Sequence, residues 1–222
     1  LKILNTGKIS PGKKRDLGAL QASYRTLVFL DDDSFPDSSF FIVLQRGFDE
    51  NPNAIAIGGP GITPSDSTFL EKVSGSIFLS KFSGGNPERY RSIGKKKKVD
   101  DWPSVNLSVQ KDAFLKAGGF NSNFWPGDDT LLCNNLLRLH PDKDIIYLPD
   151  LIVHHYRRGS IKNHLKQIFL YGLHRGYFSK NFPQNSLRLQ YFVPSIFLIF
   201  TLLFVLNMFL EIKFFTYLFS FV

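Results

Sequence analysis

The stretch "LVFLDDDSFP", residues 27–36, drives four apolar residues straight into three consecutive acids. Adjacent carboxylates raise one another's pKa and cost stability unless positive charge sits among them. With Thr26 added, "TLVFL" reads as a short strand buried on both faces, as parallel sheets require. Upstream, "SPGKKRDLGALQASYR" (10–25) reads as a loop and then a helix. Ser10 and Pro11 supply cap and first-turn chemistry, and Leu17, Leu20 and Tyr24 recur at helical spacing. Downstream, "DSSFFIVLQRGFDENP" (37–52) reads as a helix with Asp37 as N-cap and Pro52 beyond its end. "AIAIGG" (54–59) reads as another buried strand, stopped by glycines. Strand, helix, strand in this order predicts an α/β layered domain.

Residues 60–98 are less regular, and "KFSGGNPERYRSIGKKKK" (81–98) reads as a mobile loop. Its four-lysine run is a solvated surface, or else a contact with phosphate or membrane headgroups. "VDDWPSVNLSVQKDAFLKAGGF" (99–120) holds a short strand, a helix opening near Lys111 and a stop at Gly118-Gly119. "GDDTLLCNNLLRLHP" (127–141) reads as a helix with an acidic first turn, and "DIIYLPDLIVHHYRR" (144–158) as one or two strands. At the start, "KILN" (2–5) reads as a short strand entering a turn, as if the chain opened mid-domain.

From Ser160 the pattern changes. Ile161, Leu165, Ile168, Phe169 and Leu173 fall on one face of a helix, the pattern of a segment lying in a membrane interface or packed on a core. "YFVPSIFLIFTLLFVLNMFL" (191–210) carries no charge over a length that spans a bilayer, and this favours the interface. "FFTYLFSFV" (214–222) begins a second apolar segment too short to cross, so both ends of the chain read as cut. The division expected is a catalytic unit over 1–158, an amphipathic interface segment over 159–190 and a transmembrane region over 191–222.

Composition narrows the partners. The chain has 222 residues, and its net charge of +8 suits nucleic acid, anionic lipid or a phosphorylated ligand. No zinc spacing, RNP-type motif or clear helix-turn-helix favours nucleic acid, which is not expected as a partner. A single cysteine, Cys133, rules out an intramolecular disulfide framework.

An Asp-x-Asp at the carboxyl end of a strand offers two carboxylates to one point, and such oxygen ligands suit Mg²⁺ or Mn²⁺ bound to a diphosphate. Here the pair is Asp31 and Asp33, with Asp32 between them. The companions are ordered: "KKRDLGALQAS" before it, "NLSVQKDAFLKAGGF" after it, and "PGDDTLLCNNLLR" next. In this order the chain resembles the inverting glycosyltransferases of family 2, from about Lys14 to Arg175.

That resemblance implies a GT-A-like, Rossmann-like mixed sheet flanked by helices. It implies a metal bound by Asp31 and Asp33, donor contacts from Arg15, Asp31 and Asp32, and a catalytic base from the pair Asp128-Asp129, with Asp129 as the base itself. Asp16 stands where the family has Asn in the element Arg15-Asp16-Leu17-Gly18. Asn106 matches the Asn preceding the Gly-Gly-Phe element, on the acceptor side. Some relatives complete the metal site with a His after the strand here ending in His154-His155, and strand alternation selects His155. Gln167 and Arg175 fall where membrane-bound relatives border the acceptor, whereas the Gln-x-x-Arg-Trp motif of processive synthases is absent.

The function expected is transfer of one sugar from a nucleotide-diphosphate donor to a lipid-linked or cell-surface glycan acceptor, at the plasma or inner membrane. Lys162, Lys166, Arg175 and Arg188 before the span place the catalytic unit in the cytoplasm. The alternatives are a non-catalytic membrane-anchored binding protein and a metal-dependent nucleotidyl- or phosphotransferase. In the absence of the resemblance, Asp128 and Asp129 read as helix capping and dipole compensation. The first nucleotide-binding strand and helix that the family implies have no counterpart before Leu1. The 222-residue chain expressed alone is therefore expected to be inactive and poorly folded.

Overall fold

A computed structural model describes residues 2–120 and 126–210, the side chains at positions 81, 185, 209 and 210 excepted. The second apolar segment expected at 214–222 lies outside the described residues. The architecture is mixed α/β, with helices on both faces of a mixed sheet and one long apolar helix near the C-terminal end. In chain order the elements are α1 (Pro11–Gln21), β1 (Thr26–Leu30), β2 (Ser34–Pro36), α2 (Phe40–Glu50), β3 (Ala54–Gly58), β4 (Gly61–Ile62), α3 (Phe69–Leu79) and β5 (Lys97–Val99). They continue with β6 (Asn106–Gln110), α4 (Lys111–Lys116), α5 (Asp128–Leu139), β7 (Asp144–Tyr147), β8 (Val153–His155), α6 (Ile161–Asn181), α7 (Pro183–Ser186) and α8 (Val193–Leu210).

The main sheet has the order β1-β6-β3-β7-β5, and only its β3–β7 pair is parallel. β1 is therefore not the strand buried on both faces that its apolar run predicts. It is an edge strand, antiparallel to β6 in the register Thr26↔Gln110 to Leu30↔Asn106, and its burial alternates. Leu27 and Phe29 enter the core, while Val28 and Leu30 are half-covered by the other layer. β3 has the central position that its uniform burial requires.

Helices α1, α4 and α5 cover one face, around Phe29, Trp102, Leu107, Phe114, Phe120, Leu132 and Tyr147. Helix α2 covers the other with Phe40, Val43 and Leu44 against Ile57, Ile146 and Val153. A second sheet, of order β2-β8-β4, continues where β1, β7 and β3 end. Asp31 to Asp33 form the turn through which the chain leaves one sheet for the other.

Helix ends follow local chemistry. Ser10 caps α1 by accepting the Lys13 N–H, with Pro11 at the first position. Ser39, not Asp37, occupies the N-cap of α2, and Asp37 instead accepts the Ser39 N–H at 3.0 Å and the Ser39 hydroxyl at 2.9 Å. Gly118 and Gly119 stop α4 with φ of 85° and 65°. Residues 2–5 form no strand. Helix α3 arises in the stretch that reads as irregular, and it is opened by a capping box of Thr68 and Glu71.

The second half of the lysine run, Lys97 and Lys98, lies in the edge strand β5. Lys96 pairs with Glu50 (3.8 Å), Lys97 with Glu88 (2.7 Å) and Lys98 with Asp144 (2.9 Å). Charged edge residues of this kind also discourage edge-to-edge pairing of sheets.

Candidate metal and transfer site

The turn after β1 is built by Asp31, whose carbonyl accepts the Ser34 N–H at 3.1 Å and the Ser34 hydroxyl at 2.7 Å. Pairing of β2 with β8 in the register Ser34↔His155 brings a residue far along the chain beside this turn. One ligand atom from each of Asp31, Asp33 and His155 lies within 4.8 Å of the others. The His155 Nε2 is 3.0 Å from Asp33 Oδ1, and this hydrogen bond holds the Asp33 carboxyl below the ordinary range. His154 faces the other way, stacked on Phe35 with ring centroids 5.0 Å apart and 3.6 Å from Asp37. Asp32 is exposed at the tip of the turn.

Two carboxylates and one imidazole so gathered could hold a metal ion, although Arg15 at 2.5 Å from Asp31 and Arg158 at 3.5 Å from Asp33 already bring positive charge to the carboxylates. One contact opposes simple occupancy of His155 Nε2. The Arg157 Nη1 donates to His155 Nδ1 at 2.8 Å, so in the neutral ring the proton sits on Nε2 and is given to Asp33. A cation taking Nε2 displaces that proton.

The second half of the site comes from α5. Its first turn starts after Gly127, which has φ of 123°, and presents Asp128 and Asp129. Asp128 is buried, and burial together with the neighbouring Asp129 charge pushes its pKa up to about 7. Asp129 Oδ1 accepts its neighbour's N–H, that of Thr130, at 2.8 Å, and Oδ2 accepts the Ser104 N–H at 3.2 Å. Burial and the charge of Asp101 push Asp129 up as well. A buried acid and a half-buried one at a helix N-terminus, each resisting ionisation, have the character that proton transfer requires.

Arg15 joins the halves. Its Nη2 reaches Asp31 Oδ1 at 2.5 Å and its Nη1 lies 3.8 Å from Asp128 Oδ2. The guanidinium is positioned by the Gly-Gly-Phe element, since it lies 5.3 Å from the centroid of the Phe120 ring. Asp16 accepts the Phe120 N–H at 2.8 Å. A Cβ at Gly119 would meet Asp16 Oδ1 at 2.4 Å, so the glycine and the acid fit each other. Two motifs that are distant in sequence thus form one bracket for Arg15.

Other residues fall elsewhere. Asn106 is fully buried and donates to the carbonyls of Pro60 (3.2 Å) and Leu151 (2.6 Å), tying β6 to the crossings between the sheets. Gln167 donates to the Tyr171 hydroxyl at 3.1 Å. Arg175 lies 3.7 Å from Asp101 and 4.3 Å from the Tyr191 ring centroid. The two are not brought to a common contact.

Sequence reading passed over Asp101, Arg89 and Thr130. Asp101 is buried, receives the Arg89 guanidinium at 2.9 Å and accepts the Thr130 hydroxyl at 3.0 Å. Its signal was the acid pair before Trp102 in "VDDWP"; the arginines that hold it come from remote segments. No protein-family model matches the chain, and no curated protein matches it.

Proposed function

We propose that the chain carries the catalytic site of a membrane-anchored, inverting glycosyltransferase of GT-A type, which moves one sugar from a nucleotide-diphosphate donor to a lipid-linked or cell-surface glycan. The observation that supports this reading is the single guanidinium of Arg15, which contacts Asp31 of the Asp31-Asp33-His155 cluster and lies 3.8 Å from Asp128 of the acidic pair. Asp31, Asp33 and His155 would hold Mg²⁺ or Mn²⁺, and the ion would supply positive charge to offset that developing on the leaving diphosphate. Arg15 adds a second positive charge on the same side.

Asp129 takes the proton of the acceptor hydroxyl as that oxygen forms its bond to the anomeric carbon. The bond from that carbon to the diphosphate oxygen breaks, and its electron pair leaves with the nucleotide. One displacement inverts the anomeric configuration. Asp128 sits between Asp129 and Arg15, where its resistance to ionisation limits the negative charge of the pair.

The helix over Leu189–Met208 is long and apolar enough to cross a membrane. A cytoplasmic site is supported by Lys162 and Lys166, which are exposed on α6. Arg175 and Arg188 support it less, because they face Asp101 and Asp100.

The test uses the protein in its native membranes with Mn²⁺ or Mg²⁺ and a panel of labelled UDP-, GDP- and dTDP-sugars. One donor should label a lipid-extractable or polymeric product, and Asp129→Asn should abolish transfer while Mn²⁺ and donor still bind. Labelled nucleotide or phosphate appearing on the acceptor would favour a nucleotidyl- or phosphotransferase, which has no need of Asp129. Full transfer by Asp129→Asn would overturn the assignment.

A further inference from the structure

Helix α3 is inverted. Its large apolar residues Phe69, Leu70, Val73 and Ile77 are exposed, whereas the face turned to the protein carries Ser74, Gly75 and Phe78. The exposed set has the spacing i, i+1, i+4, i+8 and forms one continuous stripe. Gly75 permits close approach, since a Cβ there would meet the Thr63 hydroxyl oxygen at 2.4 Å. The inner contact with α6 is partly polar: the Ser74 hydroxyl lies 2.7 Å from His164 Nδ1 in a buried pair, and the Phe78 ring packs on His164 at 5.4 Å. Helix α6 is inverted in the same sense, burying His164 and exposing Ile161, Leu165, Phe169 and Leu173.

The two stripes connect to the apolar helix. The short helical turn Lys81–Ser83 follows α3 directly, and Phe82 on it packs on Phe197 of α8 with ring centroids 5.6 Å apart. A Cβ at the neighbouring Gly84 would meet Pro194 Cδ at 2.8 Å. Lys72, Lys162 and Lys166 are exposed on the same two helices. An apolar stripe with cations on its helix, continuous with a bilayer-length helix, fits an anionic lipid surface.

We infer that α3 is a second membrane-contact element belonging to the catalytic unit itself, and that with α6 it forms a platform seating the site at a fixed height on an anionic lipid bilayer. This rests on the membrane reading of α8. The platform reaches the site through a short connection, since α6 begins just after β8, whose last residue is His155, and Arg158 lies 3.5 Å from Asp33. A donor arriving from the aqueous side and an acceptor held by the bilayer then meet without either leaving its phase.

The experiment places single cysteines by Phe69→Cys, Val73→Cys and Ile77→Cys in the full chain, with Phe200→Cys in α8 and Asp142→Cys as references. Cys133 is buried and stays in place. Each cysteine carries an environment-sensitive fluorophore, and the protein is reconstituted into phosphatidylcholine–phosphatidylglycerol vesicles containing nitroxide-labelled acyl chains. Quenching of about twofold or more is expected at positions 69, 73, 77 and 200, and none at 142. Quenching at 200 alone overturns the role of α3 and leaves the span intact. A blue-shifted but unquenched signal at 69, 73 and 77 overturns it in favour of a protein partner. Absence of quenching at all positions overturns both the platform and the span. Sugar transfer enters none of these readouts, so failure of the catalytic reading is separately visible.

Discussion

Arg15 holds Asp31 at the end of β1 and faces Asp128 at the start of α5, so one guanidinium spans the two acidic clusters. A lysine cannot present two donors in that fixed fork. Arg15→Lys is expected to lower transfer by about tenfold to a hundredfold, with Mn²⁺ binding retained. The check is a transfer assay run beside a Mn²⁺-binding titration, in which transfer falls and binding does not.

Mn²⁺ binding should depend on the strand pairing that delivers His155 to the turn. Asp33→Asn and His155→Gln should each weaken Mn²⁺ binding by at least about tenfold, read from free Mn²⁺ by electron paramagnetic resonance. Asp37→Asn, whose carboxylate serves Ser39 and His154 instead, should leave it unchanged.

Asp128 gives stability a defined pH dependence. Its folded pKa of about 7 lies above the ordinary 3.8, so the folded chain retains a proton that the unfolded chain has released. The contribution is fully present below pH 3.8 and is lost as pH rises through about 7. Asp128→Asn should flatten that loss. Thermal unfolding at pH 5 and pH 8 should show a smaller difference in the variant than in the parent.

Gly59→Ala should unfold the junction between the sheets. The added Cβ would meet the Leu151 backbone oxygen at 1.8 Å, which no side-chain rotation relieves. A loss of about 3 kcal/mol or more is expected in denaturant titration. Gly18→Ala, with nothing within 4 Å, is the matched control.

Asn106→Leu should act on stability. It leaves the Leu151 carbonyl without the Asn106 donor and the Pro60 carbonyl with the Val153 N–H alone, at a cost of about 2 kcal/mol. Transfer per folded molecule should persist, which separates its place in the core from the acceptor contact that the family resemblance implies.

The order of elements was legible because local chemistry sets it. Ser10 and Pro11 start α1, the acids start α5, and Gly118-Gly119 end α4. The same signals exposed Asp31, Asp33 and the Asp128-Asp129 pair, since acids directly after an apolar strand or opening a helix are visible in one dimension. Helix α3 was missed because its stripe lies outward, and an apolar run without a polar outer face has no surface-helix signature.

Sequence alone therefore determined where β1, β3, α1, α2, α4, α5 and the acids lie along the chain, and that an uncharged bilayer-length segment follows them. Tertiary structure decided what those residues meet. Antiparallel insertion of β6 made β1 an edge strand, and the β2–β8 register set His155 against Asp33. The Asp16–Phe120 hydrogen bond fixed the bracket from which Arg15 spans the two acidic clusters. Each of these is a contact between segments remote in sequence, formed only when burial of the shared core brings them together, so no local pattern encodes it.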